Sequence, residues 1–400
     1  MDISDKKTIF TDKKFCRLCS GNLFNEPHVK IENISRAAQW FPNNFELDID
    51  KPINLEVYQC AECNLIQLNI HPVNYYKEVI TAASYSRKMY DFREKQALKF
   101  IKGNKLMGKK VMQFGCGDGY FLNLIKKAGA IPYGLEASNS INNKITDIDI
   151  KIINGYPSYE YIIEDGPFDA FISINCLEHS PDPNEYLQGI YNNVSEDSLG
   201  LVEVPSLEKI IEKKNFYDWI PDHLSYFSSE TLSFALEKNG FKVLDVSRVW
   251  GGDDIVALVQ KSESVNKIKS LNTIKNVNWK LWDIEKRRFI KSFREIINNE
   301  LHRDKKIGIW GASHQALTIL SMSMISGISY VIDAATFKQE KLTPVSHIPI
   351  KNPKELMKNP VDIMIVMAAG YTDEVISQLQ KKYMFKGKIG VLENNRIKFI

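Results

Sequence analysis

Two segments of the sequence combine a short apolar run, a glycine-containing turn and a helix-like pattern, in that order. In the first, residues 111–114 lead into the turn GCGDG at 115–119, and in the second, residues 307–310 lead into GAS at 311–313. Glycine permits the sharp turn by which a buried strand enters a helix. At 400 residues, the chain also exceeds one ordinary core. The sequence therefore predicts at least two α/β domains.

Further strand and helix patterns surround the first turn. Apolar, strand-like runs occur in the segments IPYGLEAS, FDAFISINCLEHS and LGLVEVPS, and a helical pattern covers residues 85–101. Strands that alternate with helices are typical of a parallel sheet covered on both faces. Residues 232–261 predict a helix and two strands, which complete this sheet as an antiparallel edge pair.

These patterns give a domain organisation. We expect a small domain at residues 10–75, a central α/β domain at 76–262, a helical connector at 263–303 and a second α/β domain at 304–400. Trp279 and Trp282 in the connector have helical spacing and are interpreted as packing residues rather than a stacking platform.

Charge and hydropathy exclude several classes of partner. The formal net charge is +3, and the basic residues are spread along the chain, so nucleic acid is not expected as a partner. Residues 1–15 lack the apolar core of a signal peptide, and no later run is long enough to cross a bilayer. We therefore expect a soluble cytoplasmic protein with no membrane partner, as a monomer or homodimer.

Four of the six cysteines form two Cys-x-x-Cys pairs, Cys16 with Cys19 and Cys60 with Cys63. In a reducing compartment, duplicated pairs in a segment too small to build its own core favour metal over disulfides. Four thiolates suit Zn²⁺, and a metal with four protein ligands has no open position, so we expect a structural role. Unliganded thiols and a redox pair are the alternatives.

The first glycine turn predicts a cofactor site. Its glycines let the backbone approach a ligand, and Glu136, at the end of the next predicted strand, can accept hydrogen bonds from both ribose hydroxyls. A dinucleotide site begins in the same way, so these features alone leave NAD and S-adenosylmethionine open. The residues expected around the cofactor are Gln113, Gly115, Cys116, Gly117, Gly119, Glu136 and Asn175.

The third strand-like segment, residues 168–183, distinguishes the two cofactors. It contains Leu-Glu-His at 177–179 and Pro-Asp-Pro at 181–183, and it resembles the corresponding segment of class I methyltransferases. The resemblance implies S-adenosylmethionine as the cofactor. One departure is Gln113, which stands where these enzymes usually have an acidic residue. Its amide can still hydrogen-bond the methionyl ammonium group, but without a charge.

Over nearly its whole length the chain resembles the sugar C-methyltransferase family. That family joins a cysteine-rich zinc domain, a class I methyltransferase domain and a C-terminal Rossmann-like domain. The matching blocks are the two cysteine pairs, FGCGDG at 114–119, DHLSYF at 222–227, GAS at 311–313, FKQ at 337–339 and TPVSHIPI at 343–350. We therefore expect an α/β fold with a class I methyltransferase sheet between these two flanking domains.

The resemblance implies a nucleotide-linked 4-keto-deoxysugar as the substrate. His223 matches the histidine that abstracts the proton beside the ketone, and histidine has a suitable pKa for this role. His179 matches a second active-site histidine, and Asp222 matches the acidic neighbour of the base. The second turn, residues 311–315, is expected either to hold the anionic part of the substrate or to serve only as scaffold.

One block departs from the family pattern. The family usually has Tyr-His-Glu-His where this chain has Ile-Pro-Asp-His at 220–223, so a hydroxyl that could orient the sugar is absent. His179 or Tyr217 could replace it. If neither does, the alternative is an O- or N-methyltransferase acting on a nucleotide sugar or another small metabolite. A cofactor-binding scaffold without turnover is the alternative of a different class.

Overall fold

The computed structural model describes residues 15–77, 87–138, 150–262 and 277–400, which contain three β-sheets. The expected start of the small domain at 10–14, the first two residues of the helix expected at 85–101 and the connector segment 263–276 lie outside the described residues. Strands and helices are numbered below along the chain.

The first sheet belongs to the cysteine-rich part of the chain. Its strands are β1 (Val29–Ile34), β2 (Ile53–Gln59), β3 (Ile66–Leu68) and, from much later in the chain, β9 (Ser225–Tyr226). They are antiparallel neighbours in this order. Buried and accessible residues alternate along β1 and β2, as expected for a sheet with one face on a core.

The second sheet contains the first glycine turn. Its strands are β4 (Lys110–Phe114), β5 (Ile131–Glu136), β6 (Lys151–Asn154), β7 (Phe168–Ile174), β8 (Val194–Pro205), β10 (Phe241–Val249) and β11 (Asp254–Lys261). The order is β6-β5-β4-β7-β8-β11-β10; the first five strands are parallel, and β11 is antiparallel to both of its neighbours. This is the expected α/β sheet with its antiparallel end.

Within the described residues, the α-helices that accompany this sheet are α1 (Arg87–Gly103), α2 (Tyr120–Lys127), α3 (Pro183–Tyr191), α4 (Leu207–Lys213) and α5 (Ser229–Lys238). The start of α3 follows directly from the Pro-Asp-Pro motif. The side chain of Asp182 accepts hydrogen bonds from two backbone N–H groups of the first turn, and Pro183 occupies the first helical position, where a missing N–H costs nothing.

The third sheet contains the second glycine turn. Its strands are β12 (Ile307–Trp310), β13 (Tyr330–Ile332), β14 (Ile350–Lys351), β15 (Ile363–Val366), β16 (Lys388–Glu393) and β17 (Arg396–Phe399), and its helices are α6 (Trp279–Leu301), α7 (His314–Ser323), α8 (Glu355–Lys358) and α9 (Thr372–Ser377). The order is β14-β13-β12-β15-β16-β17, and all pairs except β16 with β17 are parallel. The expected second α/β unit is therefore present.

The first sheet does not have a core of its own. Leu55 and Val57 of β2 belong to the same buried cluster as Ala316 and Leu320 of α7 and Phe293 of α6. This sharing is expected because so few residues cannot bury enough apolar surface alone. Trp282 is also buried in this cluster, in agreement with its interpretation as a packing residue.

No helix within the described ranges is both long enough and apolar enough to cross a membrane. The bounds of the expected domains stay a prediction, and β9, from the expected central domain, belongs to the first sheet.

Candidate active site and metal centre

A cavity of about 240 Å³ lies at the carboxyl ends of the central strands, where the first glycine turn begins. Gly115 follows β4, Glu136 ends β5 and Asn175 follows β7, and all three line the cavity. The chain leaves β4 to one side for β5 and later returns to the other side for β7. Such a switch point is where open parallel sheets bind ligands.

The glycines of the first turn have backbone conformations that other residues rarely adopt. Gly115, Gly117 and Gly119 have φ angles of 73°, 53° and 73°. A methyl group added at Gly115 would collide with the sulfur of Cys176. Glu136 fixes the turn from the next strand: one carboxylate oxygen accepts the N–H of Gly117 at 2.8 Å, and the other accepts the N–H of Ser138 at 3.0 Å.

Of the other residues expected at the cofactor, Gln113, Cys116 and Gly117 line the cavity and Gly119 does not. Gln113 is 4% exposed, and its side-chain oxygen has no hydrogen-bond partner among the described residues. An unpartnered buried acceptor is costly unless a ligand supplies a donor. Asn175 has a positive φ of 52°, and its backbone N–H donates to the carbonyl of Glu203 at 2.9 Å. Cys116 is buried beneath the turn, and burial raises the pKa of its thiol.

His179 also lines the cavity and lies in a 3-10 turn at Leu177–His179. Its Nδ1 atom is 2.7 Å from the backbone carbonyl of Asp222. A carbonyl only accepts, so Nδ1 carries the hydrogen of this bond. Burial lowers the pKa of His179 below its usual value, although the nearby Asp222 acts in the opposite direction. The ring is therefore neutral near pH 7.

The ring of His223 packs against that of His179. The ring centroids are 4.8 Å apart and the rings are nearly perpendicular, at 74°. Burial lowers the pKa of His223 well below its usual value, and the neighbouring His179 lowers it further. A neutral imidazole in this position can accept a proton. The first sheet positions it, because β9 begins two residues later and pairs with β3.

The carboxylate of Asp222, which was expected as the acidic neighbour of the base, contacts two residues that lie far away in the sequence. One carboxylate oxygen accepts the hydroxyl hydrogen of Tyr75 at 2.7 Å, and the other accepts the N–H of Ala38 at 2.7 Å. Both partners belong to the cysteine-rich part of the chain. The carboxylate of Asp222 thus ties that part to the active site, while its backbone carbonyl orients His179.

The four cysteines of the two Cys-x-x-Cys pairs converge. Their sulfur atoms lie within 4.8 Å of one another, with 3.5 Å between Cys16 and Cys63 and 3.4 Å between Cys19 and Cys60, and none forms a disulfide. Four sulfurs at about 2.3 Å from a tetrahedral zinc are about 3.8 Å apart. Backbone N–H groups approach these sulfurs, for example Leu18 to Cys16 and Glu62 to Cys60 at 3.4 Å. The donor set therefore fits a zinc ion.

Several residues at the site were not expected from the sequence. Arg93 of α1 lines the cavity and is paired with the buried Glu203 at 2.6 Å. Tyr76, which directly follows the cysteine-rich part, and Tyr371 of the C-terminal domain also line the cavity. No sequence pattern marks these three, because only the packing of distant segments brings them together. Glu178, in contrast, could have been identified from the sequence, because it lies in the Leu-Glu-His motif beside His179.

The second glycine turn has the same framework as the first but a different lining. Gly311 has a φ of 114°, and Asp333, just after β13, accepts the N–H of Ala312 at 2.9 Å. The ammonium group of Lys338 lies 3.2 Å from the Asp333 carboxylate and donates to the carbonyl of Ala312 at 2.9 Å. His314 faces the central domain, with Nε2 at 3.2 Å from Asp218.

Comparison with known proteins follows the same division of the chain. The family described as a methyltransferase domain matches residues 84–246, and the family described as a C-methyltransferase C-terminal domain matches residues 253–392. Among curated proteins, the C-methyltransferase NovU of Streptomyces niveus is 24% identical over 298 residues, which cover 70% of this chain and 71% of that protein.

Two further relatives match less than half of this chain. A ubiquinone biosynthesis O-methyltransferase of Glaesserella parasuis is 29% identical over 111 residues, covering 24% of this chain and 46% of that protein. The solved structure of magnesium protoporphyrin IX methyltransferase from Synechocystis has a TM-score of 0.37 and 12% identity, and covers 45% of this chain and 90% of that one. The chain is an S-adenosylmethionine-dependent methyltransferase whose C-terminal region is similar to that of C-methyltransferases.

Proposed function

We propose that this S-adenosylmethionine-dependent methyltransferase methylates a carbon of a nucleotide-linked 4-keto-deoxysugar, with His223 as the general base. The observation that carries the proposal is the packing of the His223 ring, whose pKa is lowered by burial, on the ring of His179. His179 lines the cavity that begins at the first glycine turn, whereas His223 is not among the lining residues. The C-methyltransferase C-terminal domain match and the similarity to NovU support transfer to carbon rather than to oxygen or nitrogen.

The cavity wall suits S-adenosylmethionine in several respects. The unpartnered oxygen of Gln113 can accept a hydrogen bond from the methionyl ammonium group, and Gly115 and Gly117 leave room for the cofactor beside the backbone. Glu136 at the end of β5 and Asn175 after β7 both line the cavity, and the Glu136 carboxylate is the group proposed to accept hydrogen bonds from the ribose. When bound, S-adenosylmethionine supplies a methyl group on a positively charged sulfur that a carbon nucleophile can displace.

The chain's contribution is to remove a proton and to orient the reactants. A lone-pair nitrogen of His223 takes the proton from the carbon beside the ketone and becomes an imidazolium, while the electron pair remains on the resulting enolate. A base with a lowered pKa is already neutral near pH 7 and needs no deprotonation first. His179 and Asp222 act as positioning residues, because Asp222 fixes the His179 ring against which His223 packs.

The missing tyrosine hydroxyl at position 220 is the observation that favours an alternative. Ile220 is buried, and the hydroxyl of Tyr217 donates to Asn215 at 3.0 Å, so Tyr217 is already engaged. His179 remains as the replacement donor named by the sequence, but its Nδ1 hydrogen is bonded to Asp222. An O- or N-methyltransferase needs a base but no group to stabilise an enolate, and is therefore the second candidate.

We also propose that the four cysteines hold a structural Zn²⁺ ion. The support is the convergence of four buried or partly buried sulfurs in a part of the chain that shares its core with other domains. The ion's function would be to fix the segments that carry Ala38 and Tyr75, the two partners of Asp222.

The second glycine turn is better suited to scaffolding than to direct anion binding. The ammonium group of Lys338 donates to the carbonyl of Ala312 in this turn, and its charge is already balanced by Asp333. We propose that the C-terminal domain orders the substrate cleft through contacts such as His314 with Asp218, and that the nucleotide binds between these two domains.

The decisive experiment follows a ¹³C-labelled methyl group from S-adenosylmethionine into nucleotide-linked 4-keto-deoxysugars. We expect a new carbon-bound methyl group by NMR, and His223→Gln should lower kcat by about 10²- to 10⁴-fold while S-adenosylhomocysteine affinity stays within about twofold. His302→Gln, at the exposed end of α6, is the matched control and should retain full activity.

Three other results would contradict the proposal in different ways. A methyl ether or methylamine product assigns the O- or N-methyltransferase alternative. Cofactor binding without any product, unchanged in His223→Ala, indicates a scaffold without turnover. Full activity of His223→Gln would show that another group is the base.

A further inference from the structure

Glu178, His179 and His223 form a compact group of possible metal ligands next to the cavity. One carboxylate oxygen and two imidazole nitrogens lie within 4.8 Å of one another. Glu178 is 2% exposed and His179 is 7% exposed. The proposed function assigns tasks to both histidines and none to Glu178, so a buried carboxylate remains to be explained.

Within this group, the lone pair of a His179 ring nitrogen lies close to a carboxylate oxygen of Glu178. Because Nδ1 of His179 donates to the carbonyl of Asp222, the lone pair of the neutral ring is on Nε2. That Nε2 atom is 3.8 Å from a carboxylate oxygen of Glu178. Both carboxylate oxygens of Glu178 are buried and receive no hydrogen bond from any described residue. An acceptor therefore faces an acceptor, and only a cation or a proton between them makes the arrangement favourable.

His223 adds a third ligand of the same kind. Its ring packs on that of His179, and no described residue hydrogen-bonds to its side chain. Two imidazoles and one carboxylate are a common ligand set for zinc and similar divalent ions, with the fourth position left open. The hydrogen bond from His179 to the Asp222 carbonyl is also the bond that metal-binding histidines usually make through their second nitrogen.

The distances require the group to contract around an ion. Ligand atoms at about 2.1 Å from a tetrahedral metal are about 3.4 Å apart. Glu178 and His179 are separated by 3.8 Å, and all three ligand atoms lie within 4.8 Å of one another, so a contraction of at most about 1.4 Å in any pair is needed. We expect such a site to bind more weakly and exchange faster than the four-sulfur site.

We infer that Glu178, His179 and His223 form a second site for a divalent transition-metal ion, and that a metal bound there prevents His223 from acting as a base. The site itself is independent of the proposed function, but the inhibition rests on it. A metal ion and a proton compete for the same lone pair of His223. Divalent transition-metal ions are therefore expected to inhibit methyl transfer reversibly.

The first experiment measures binding without any substrate. Full-length protein that contains one equivalent of zinc is titrated with Co²⁺ and followed by visible absorption and calorimetry. We expect one further equivalent, with an affinity that falls at least about 10-fold in Glu178→Gln and in His179→Gln. Glu295→Gln, an exposed carboxylate on α6, is the control and should bind as the wild type does. Circular dichroism establishes that each variant is folded.

The second experiment measures methyl transfer during the same Co²⁺ titration. Wild-type activity should fall over the concentration range of the second equivalent and return on addition of a mild chelator. In Glu178→Gln, inhibition should require at least about 10-fold more Co²⁺. The inference is overturned if the wild type binds no second equivalent, if the two variants bind it unchanged, or if the metal activates the enzyme.

Failure of the proposed function is distinguishable from failure of this inference. If the protein transfers no methyl group to any ketosugar but binds the second Co²⁺ through Glu178, the site stands and the function is wrong. If methyl transfer is normal and insensitive to Co²⁺, the function stands and this inference is wrong.

Discussion

At the first glycine turn Glu136 accepts the N–H of Gly117, and at the second turn Asp333 accepts the N–H of Ala312. Each carboxylate lies at the end of the strand that follows its turn, next to a backbone bent by glycine. The two carboxylates differ in their other neighbours. Glu136 lines a cavity, whereas Asp333 is paired with the ammonium group of Lys338.

The comparison shows how one framework serves two purposes. A carboxylate that borders a cavity can accept hydrogen bonds from the hydroxyls of a ligand. A carboxylate neutralised by a buried lysine has its charge satisfied within the protein, and removing either partner leaves an uncompensated charge. We therefore interpret the first turn as the cofactor site and the second as a structural turn. Four predictions test this interpretation, in order of decreasing effect.

The largest effect is expected from disrupting the proposed zinc site, because the cysteine-rich part that the ion would fix carries both partners of the Asp222 carboxylate. Cys60→Ser should lower zinc content to below about 0.1 equivalents and reduce methyl transfer by more than about 100-fold, because zinc binding contributes folding free energy. Amide exchange should accelerate in β3 and β9 more than in β12. Cys116→Ser, outside the cluster, should keep one zinc; equal zinc content in both variants contradicts the assignment.

The next effect comes from exchanging the two carboxylates for amides. Glu136→Gln should weaken S-adenosylhomocysteine binding by about 10- to 100-fold, since charged hydrogen bonds contribute about 1.5–3 kcal/mol. Asp333→Asn should leave that affinity within about twofold but lower the melting temperature, because Lys338 loses its partner. Calorimetry and thermal unfolding measure both. If Asp333→Asn abolishes cofactor binding, the second turn is the cofactor site.

A smaller effect is expected from adding one methyl group at each turn. Gly115→Ala should weaken cofactor binding by about 10-fold, because of backbone strain of about 1–2 kcal/mol and a clash with Cys176. Adding Cys176→Ala should restore part of the affinity. Gly311→Ala meets the backbone oxygen of Met367 at 2.5 Å, so it should destabilise the protein without changing cofactor affinity. Absence of any partial rescue by Cys176→Ala would count against the proposed packing of the first turn.

The smallest effect is a displacement of the pH profile. The pKa of His223 is lowered by burial, so the neutral base persists as pH falls through its usual value of about 6.5. We expect kcat/KM to be constant from pH 8 to about 6.5 and to decline only at lower pH. The free energy of unfolding should change with pH in the same direction. Because burial lowers the pKa of His179 and His223 in the folded state, their contribution to stability is complete above about pH 6.5 and is lost as pH falls further. An activity decline centred above pH 7 is incompatible with His223 as the base.

Much of the fold was predictable because its signals are local. The two glycine turns, the strand runs beside them and the Pro-Asp-Pro start of α3 each depend on residues close in sequence. The cysteine pairs were informative for the same reason, since each supplies two ligands within one turn. The core of the small domain was not predictable, because it is shared with α6 and α7 and cannot be inferred from the domain's own sequence.

For the site, the sequence predicted many of the residues but not the contacts between distant ones. Gln113, Gly115, Cys116, Gly117, Glu136, Asn175 and His179 line the cavity, whereas Gly119, Asp222 and His223 do not. The carboxylate of Asp222 instead binds Ala38 and Tyr75, which are 184 and 147 residues away in the chain. No spacing rule connects residues so far apart, because their contact results from how the sheets pack against each other.

The sequence alone determined the order of the elements, the two glycine turns and the two cysteine pairs, since these follow from backbone conformation and ligand chemistry over a few residues. The tertiary structure alone decided which turn keeps a cavity and which receives Lys338, and it alone placed Glu178 beside two imidazoles without a hydrogen-bond donor. Both outcomes depend on burial and on distances between distant segments, and these quantities exist only once the chain is folded.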